Sequence, residues 1–339
     1  MLSSLPAALT NLSKLTYLDL HDNPITTFDQ SVMSYLGSHL EIFYVGSSAM
    51  KTWPSEFQYL KRLNALHLLG ASFSDIPPDA FSGFERSLIN LEIKGTNLTS
   101  VPSALCNLTT LRNFYFNNNY NVNDDDILPH CSSQVTSVSA ITLNENHLTS
   151  FPVSIFYLFP NLKTLSISSN QHLDSMAGAY IPSGMILTSL TMGENNFNQV
   201  PSEISDLMNL RILDLHSNSL AQLLNNDLSQ LIHLSRLILN DNPLTLVEDN
   251  SFKNNSVLFH LSLDNTQLPT IPRALLDLDH LHTLDFKGNI MNCTCNDLQW
   301  MSSWGHINSL HVTGNCGNKN SHLNEDIQTY LQLEVQRCP

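Results

Sequence analysis

No run of eighteen consecutive apolar residues occurs in this 339-residue chain, so no stretch of it is expected to cross a bilayer as a helix. Basic residues are scarce: 15 lysines and arginines stand against 30 acidic residues, a formal charge of −15. That imbalance argues against nucleic acid or an anionic membrane surface as partner and favours a basic protein or peptide. Charged residues make up only 13% of the chain while 42% are hydrophobic, which excludes a disordered polymer. No nucleophile elbow, phosphate-binding loop or paired catalytic carboxylate motif is found, so the chain is read as non-enzymatic and without a cofactor. The start, Met1 to Leu15, has neither a basic leader nor a long apolar stretch and is not expected to be a signal peptide.

What the chain does have is one unit, many times over. Leu210 to Leu220 places Leu210, Leu213, Leu215, Asn218 and Leu220 in the spacing LxxLxLxxNxL. Leu213 and Leu215 are two apart, so on a strand they share a side, and Asp214 faces the other way. The unit starts at Leu15, Leu40, Leu63, Leu88, Leu111, Val138, Leu162, Leu187, Leu210, Leu234, Leu258 and Leu281, 23 to 27 residues apart. On these twelve copies the chain resembles leucine-rich-repeat proteins over nearly its whole length. The resemblance implies an α/β solenoid, a curved horseshoe with a parallel concave sheet and an irregular or short-helical convex side. The expected division is a solenoid over 1–289 and a cap over 290–339. Leu2, Leu5 and Pro6 match the tail of a repeat, like Leu98, Val101 and Pro102. The chain is therefore expected to begin inside a repeat, with its amino-terminal cap missing.

Each rung should turn at the asparagine and return across the back. Some returns are compact, from Val200-Pro201 or Ile271-Pro272, and others follow the pattern of Ile76 to Phe81 and, more loosely, Val247 to Phe252. Whether they are helical turns or extended is left open. Asn23, Asn119, Asn146, Asn170, Asn195, Asn218, Asn242 and Asn289 hold the ninth position, where an amide can satisfy backbone groups of adjoining rungs. Ser48, Thr96 and Thr266 can replace part of that bonding. Ala71 cannot, and altered turn geometry is expected there. Asp124-Asp125-Asp126 after an asparagine-rich tail reads as a solvated loop rather than a calcium site.

The end of the chain changes character. Cys293 and Cys295 form a C-x-C pair, Trp300 follows, and Cys316 and Cys338 come later. This resembles the carboxy-terminal cap of extracellular leucine-rich-repeat proteins of the Toll-like-receptor and adhesion-receptor type. Spacing alone allows other connectivities; the resemblance implies Cys293–Cys316 and Cys295–Cys338, with Trp300 covering the core. Cys106 and Cys131 lie on neighbouring rungs, where they form either a third bridge on the back or two buried thiols. An even cysteine count points to an oxidising, extracellular location, secreted or on a receptor. Sequons at Asn11, Asn97, Asn107, Asn254 and Asn292 all fall outside the expected concave strand positions, so they are candidate glycosylation sites.

The functional surface is then expected to be the concave face, at the third, fifth and seventh positions of each rung. Tyr17, Ile42, Tyr44, His67, Leu69 and Tyr115 form an aromatic and apolar cluster on the early rungs. Thr142, Thr164, Ser166, Ser168, Ser189 and Thr191 are small and bland. Asp214, Arg236, Ile238, His260, Asp264 and Asp285 are mixed but lean acidic. Exposed tyrosines are frequent interface anchors, although aromatics on a sheet also merely pair across strands. His280 and His282 lack a third ligand at metal-binding spacing. The expectation is an extracellular recognition module for a protein or peptide, with a homodimer allowed. Its rivals are a structural matrix protein, against which the C-x-C cap argues, and the ectodomain of a peptide-hormone receptor.

Overall fold

The computed structural model describes residues 1–122, 127–289, 291, 293–305, 307, 309–317, 326–333, 335 and 338. The aspartates 124–126 and Asn292 lie outside the described residues. The chain forms two compact units: Met1–His172 with Gly178–Pro182, and Leu173–Ala177 with Ser183–Pro339.

The first unit carries seven parallel strands: β1 Tyr17–Asp19, β2 Ile42–Val45, β3 Ala65–Leu69, β4 Asn90–Lys94, β5 Asn113–Asn117, β6 Ala140–Thr142 and β7 Thr164–Ser166. Each pairs in register with the next: Tyr17 with Ile42, Ile42 with Ala65, and so on to Ala140 with Thr164. The second unit repeats the design with β8 Ser189–Thr191, β9 Ile212–Asp214, β11 Arg236–Ile238, β13 His260–Ser262, β14 Thr283–Asp285 and β15 His311–Thr313. Two short strands on its returns, β10 Gln222–Leu223 and β12 Leu246–Val247, pair with each other.

The alternation of the leucines produces this arrangement. The fourth and sixth positions, such as Leu66 with Leu68 or Leu213 with Leu215, are fully buried, and the residues between them face outward. The in-register stacking lets every rung bury its leucines against those of its neighbours, which none could do alone.

The strand ends by a device that the repeat pattern does not display. Asp22, Gly70, Gly95, Asn118, Glu145, Ser169, Glu194, Ser217, Asp241, Asn265 and Gly288, the eighth position of eleven rungs, all have positive φ. The left-handed residue reverses the chain while its N–H still reaches the next rung, as Ser217 N to Asn240 O at 2.9 Å and Gly70 N to Lys94 O at 2.9 Å. Such a backbone costs an ordinary residue roughly 1–2 kcal/mol, and glycine nothing.

The asparagine that follows is buried and satisfies the turn. Asn170 Oδ1 accepts from Asn146 N at 2.9 Å and Leu148 N at 3.1 Å, while its Nδ2 donates to the carbonyls of Leu143, Ile167 and Ser168, each at 3.1 Å. Thr96 and Thr266 join this ladder through Asn119 Oδ1 and Asn289 Oδ1, each at 2.6 Å. Two expectations need correction. Rung three turns like the others: Gly70 supplies the left-handed residue, and Ala71 is simply buried. Rung two is the irregular one. Gly46 has φ 133° one position early, so Ser47 turns inward and Ser48 is exposed.

On the back, compact returns form short 3-10 helices at Ala7–Asn11, Ser55–Tyr59, Ser103–Asn107, Ser202–Asp206 and Arg273–Asp277. Each follows a proline in extended conformation, which needs no donor at that point. Longer returns make helices α1 Gln30–Leu36, capped by Asp29 Oδ1 on Ser31 N and Val32 N, and α2 Ile155–Leu158. The return through Ile76 to Phe81 runs through hydrogen-bonded turns instead.

The cap closes the second unit with α3 Cys295–Leu298, α4 Ile327–Leu333 and β15 itself, a sixth strand of that unit's sheet supplied from beyond the last repeat. Cys293 is bonded to Cys316 and Cys295 to Cys338. Cys106 is bonded to Cys131, tying adjoining rungs of the first unit. Leu298, Met301 and Trp304 are buried at the last rung. Trp300, expected to cover the core, is only half-buried, with Nε1 donating to Asp297 O at 3.0 Å. One helical turn further on, Trp304 occupies the interior.

Candidate functional site

Parallel register converts the fifth position into rows that run across the strands. In the first unit the row is Asp19, Tyr44, His67, Glu92, Tyr115, Thr142 and Ser166. Tyr44 and His67 stack face to face, with ring centroids 3.9 Å apart and planes 1° from parallel. Tyr17, at the third position of the first rung, leans on Tyr44 at 5.6 Å and 45°, and half of its surface is exposed. Ile42 is half-buried beside Tyr17. Leu69 and Tyr115 lie on the same face; Tyr115 is beyond Glu92, without a ring contact to the others among the described residues.

Carboxylates bracket the stack. His67 Nδ1 is 2.6 Å from Glu92 Oε2, and His21 Nδ1 is 2.5 Å from Asp19 Oδ1. Burial pulls the Asp19 carboxyl upward, but the His21 hydrogen bonds outweigh it and leave it below its ordinary value. The same bond, to Asp19, raises the His21 imidazole. Burial, with Tyr17, Glu92 and Asp19 nearby, raises the Tyr44 hydroxyl. Asp19, His21 and Glu92 were not among the residues expected from sequence. Their signal was present, since they share the fifth and seventh positions with the aromatics, but only the register shows that they flank the stack.

The bland rungs are occupied with themselves. Asn117 Oδ1 accepts from Thr142 Oγ1 and Asn144 N, both at 2.9 Å, and Asn144 Oδ1 accepts from Ser166 Oγ at 2.9 Å and Ser168 N at 2.8 Å.

The second unit's face holds a separate set of charges. Arg236 is exposed between Ile212 and His260, and Ile238 lies beside Asp214. His260 Nε2 is 3.2 Å from Asp285 Oδ2; burial lowers the imidazole, Asp285 opposes that, and Arg236 adds to it. Asp264 accepts from Lys287 N at 2.5 Å, and burial raises its carboxyl. His216 lies 2.7 Å from Asp214 and 3.6 Å from Glu194.

Burial pushes the His216 imidazole down, but Asp214 and Glu194 outweigh it and hold the pKa above the ordinary histidine value. This pair's contribution to stability is fully present below about pH 6.5 and lost as the pH rises through the folded value. Asp214→Asn should lower the His216 titration point followed by NMR and flatten the stability change across that interval. An unmoved titration point would contradict the pairing.

Other expected positions are placed as follows. Asn11, Asn97, Asn107 and Asn254 are exposed, away from the strands; Nδ2 of Asn254 donates to Ser229 O at 2.9 Å. His280 Nδ1 lies 2.9 Å from Ser256 O, whereas His282 stacks on Phe259, so the two serve different contacts. Among the described residues, no group of three or more His, Cys, Asp or Glu is arranged to hold a metal ion. No described helix is long and apolar enough to cross a membrane.

Comparison with known proteins agrees with this architecture. Leucine-rich-repeat family models match residues 14–36 and 232–291. Chaoptin of Drosophila melanogaster is 28% identical over 221 residues, 57% of this chain and 16% of that protein. Transforming growth factor beta activator LRRC33 of Danio rerio is 24% identical over 334 residues, 89% of this chain and 41% of that protein. The chain thus spans well under half the length of these relatives. In fold it is similar to a chain in the Drosophila Toll–Spatzle complex, with a TM-score of 0.63, 18% identity, and coverage of 92% of this chain and 49% of that one. With its repeated rungs, asparagine ladder and two cap disulfides, the chain is a leucine-rich-repeat protein closed by a cysteine-bonded carboxy-terminal cap.

Proposed function

We propose that the chain is an extracellular recognition module that holds a protein or peptide ligand against the sheet face of its first unit. The observation that carries this reading is the Tyr17–Tyr44–His67 cluster, an aromatic group on an outward face with Tyr17 half exposed. Rigid aromatics give large contact area at little entropic cost, which makes them frequent anchors. Three disulfides and four described, exposed sequons support an extracellular setting. The charge of −15 favours a basic partner. The names of the relatives agree with a protein ligand: one is an activator of transforming growth factor beta, and the Toll structure is a complex with Spatzle.

The ligand itself is to be found by screening secreted proteins against the immobilised chain. Tyr44→Ala should then weaken binding by on the order of 2 kcal/mol, as for loss of a central anchor, with the circular dichroism spectrum unchanged. Ser166→Ala, among the self-bonded rungs, should leave binding as it is. If Ser166→Ala weakens the complex and Tyr44→Ala does not, the ligand sits elsewhere.

A further inference from the structure

The fifth-position row of the first unit reads acid, aromatic, aromatic, acid on four consecutive strands: Asp19, Tyr44, His67, Glu92. Strands about 4.8 Å apart set the two carboxylates roughly 14 Å from each other. Both side chains stay partly exposed, with accessibilities of 35% for Asp19 and 24% for Glu92. Their ion-pair partners among the described residues are imidazoles, His21 and His67, rather than lysine or arginine. The row therefore presents two carboxylate poles around an aromatic centre.

An extended peptide matches that spacing. Its residues advance about 3.4 Å each, so side chains four apart point to one side and stand roughly 14 Å apart. The residue midway points the same way and falls on the centre. We infer that the partner of this face is an extended segment with two basic residues four apart and an apolar residue midway between them. Its cations reach Asp19 and Glu92, and the middle side chain packs on the Tyr44–His67 stack. This rests on the reading that the first unit's sheet face is the ligand face. Arginine suits the poles better than lysine, because its planar fork binds a carboxylate through two bonds and also lies flat on a ring such as Tyr17. A second copy of this chain is disfavoured as occupant, since each copy carries a charge of −15.

Two synthetic peptides of equal composition test the spacing on the intact chain by calorimetric titration. One is Gly-Arg-Ser-Leu-Ser-Arg-Gly, and the other, Gly-Arg-Arg-Leu-Ser-Ser-Gly, brings the arginines together. The first should bind about tenfold more tightly, and added salt should weaken it. Asp19→Asn or Glu92→Gln should each erase most of that preference, while Thr142→Ala keeps it. Equal affinity of the two peptides, or no heat from either at millimolar concentration, overturns the inference. If Tyr44→Ala abolishes peptide binding but neither carboxylate variant changes it, the face still recognises peptide and only the two-pole spacing fails. If peptide binding ignores Tyr44, Asp19 and Glu92 alike, both the spacing and the ligand face fail. Self-association in sedimentation velocity that Tyr44→Ala removes would put a second copy on the row and overturn the inference as well.

Discussion

Cys338→Ser should destabilise the cap by about 4 kcal/mol. The bond it removes joins residues 43 apart, and the chain-entropy estimate for a loop of that length is near that value, within the usual range of about 2–5 kcal/mol. The bond ties the end of the chain to α3, and between its ends lie the buried Ile327, Tyr330, Leu331 and Val335. Loosening them uncovers β15, whose pairing with β14 completes the second unit's sheet. Rungs touch only their neighbours, so the damage should be graded along the second unit. Amide exchange should quicken most in β15 and β14, less in β9, and the unfolding midpoint should drop. An unchanged midpoint with β15 as protected as before would show that the bond does not hold the cap.

Asn170→Leu should cost on the order of 3 kcal/mol or more. Its amide is fully buried and serves two N–H groups and three carbonyls of adjoining turns. Leucine fills a similar volume but offers none of these bonds, and each buried group left unpaired costs roughly 1–3 kcal/mol. Ser217→Gly is the informative contrast. It relieves a left-handed residue with φ 51° but loosens the unfolded chain, so its net effect should stay within about 1 kcal/mol. Equal denaturation midpoints for the two variants would mean that the amide ladder contributes little.

Much of the site was legible one residue at a time. The alternation that puts Leu66 and Leu68 inside puts Ala65, His67 and Leu69 on the other face, so position within the repeat predicts which residues lie on the face, as for Tyr44 and Tyr115. Their mutual arrangement was not legible, because the repeats are 23 to 27 residues apart and a contact between them depends on stacking. The 3.9 Å stack of Tyr44 on His67 and the His67–Glu92 bond are contacts of that kind. Residue type alone points to the aromatics and not to Asp19, His21 and Glu92, which the register sets beside them.

The leucine spacing by itself determined the class of fold, since a strand with a two-residue period and no partner of its own can bury its apolar side only by stacking on copies. It also placed the asparagines at the turn, and the cap cysteines paired as the family resemblance implies. Only the tertiary structure decided the left-handed residue before each asparagine, occupied by Asp, Asn, Glu, Ser or Gly alike. Asp, Asn and Gly tolerate that conformation by themselves, but Glu145, Ser169, Glu194 and Ser217 adopt it against their own preference, beside bonds to the neighbouring rung such as Glu145 N to Ser168 O at 3.1 Å. For the same reason the early turn at Gly46, the exchange of Trp300 for Trp304 and the strand contributed by the cap escape a linear pattern. Each is settled by what fits against the adjacent rung, and that neighbour is distant in sequence.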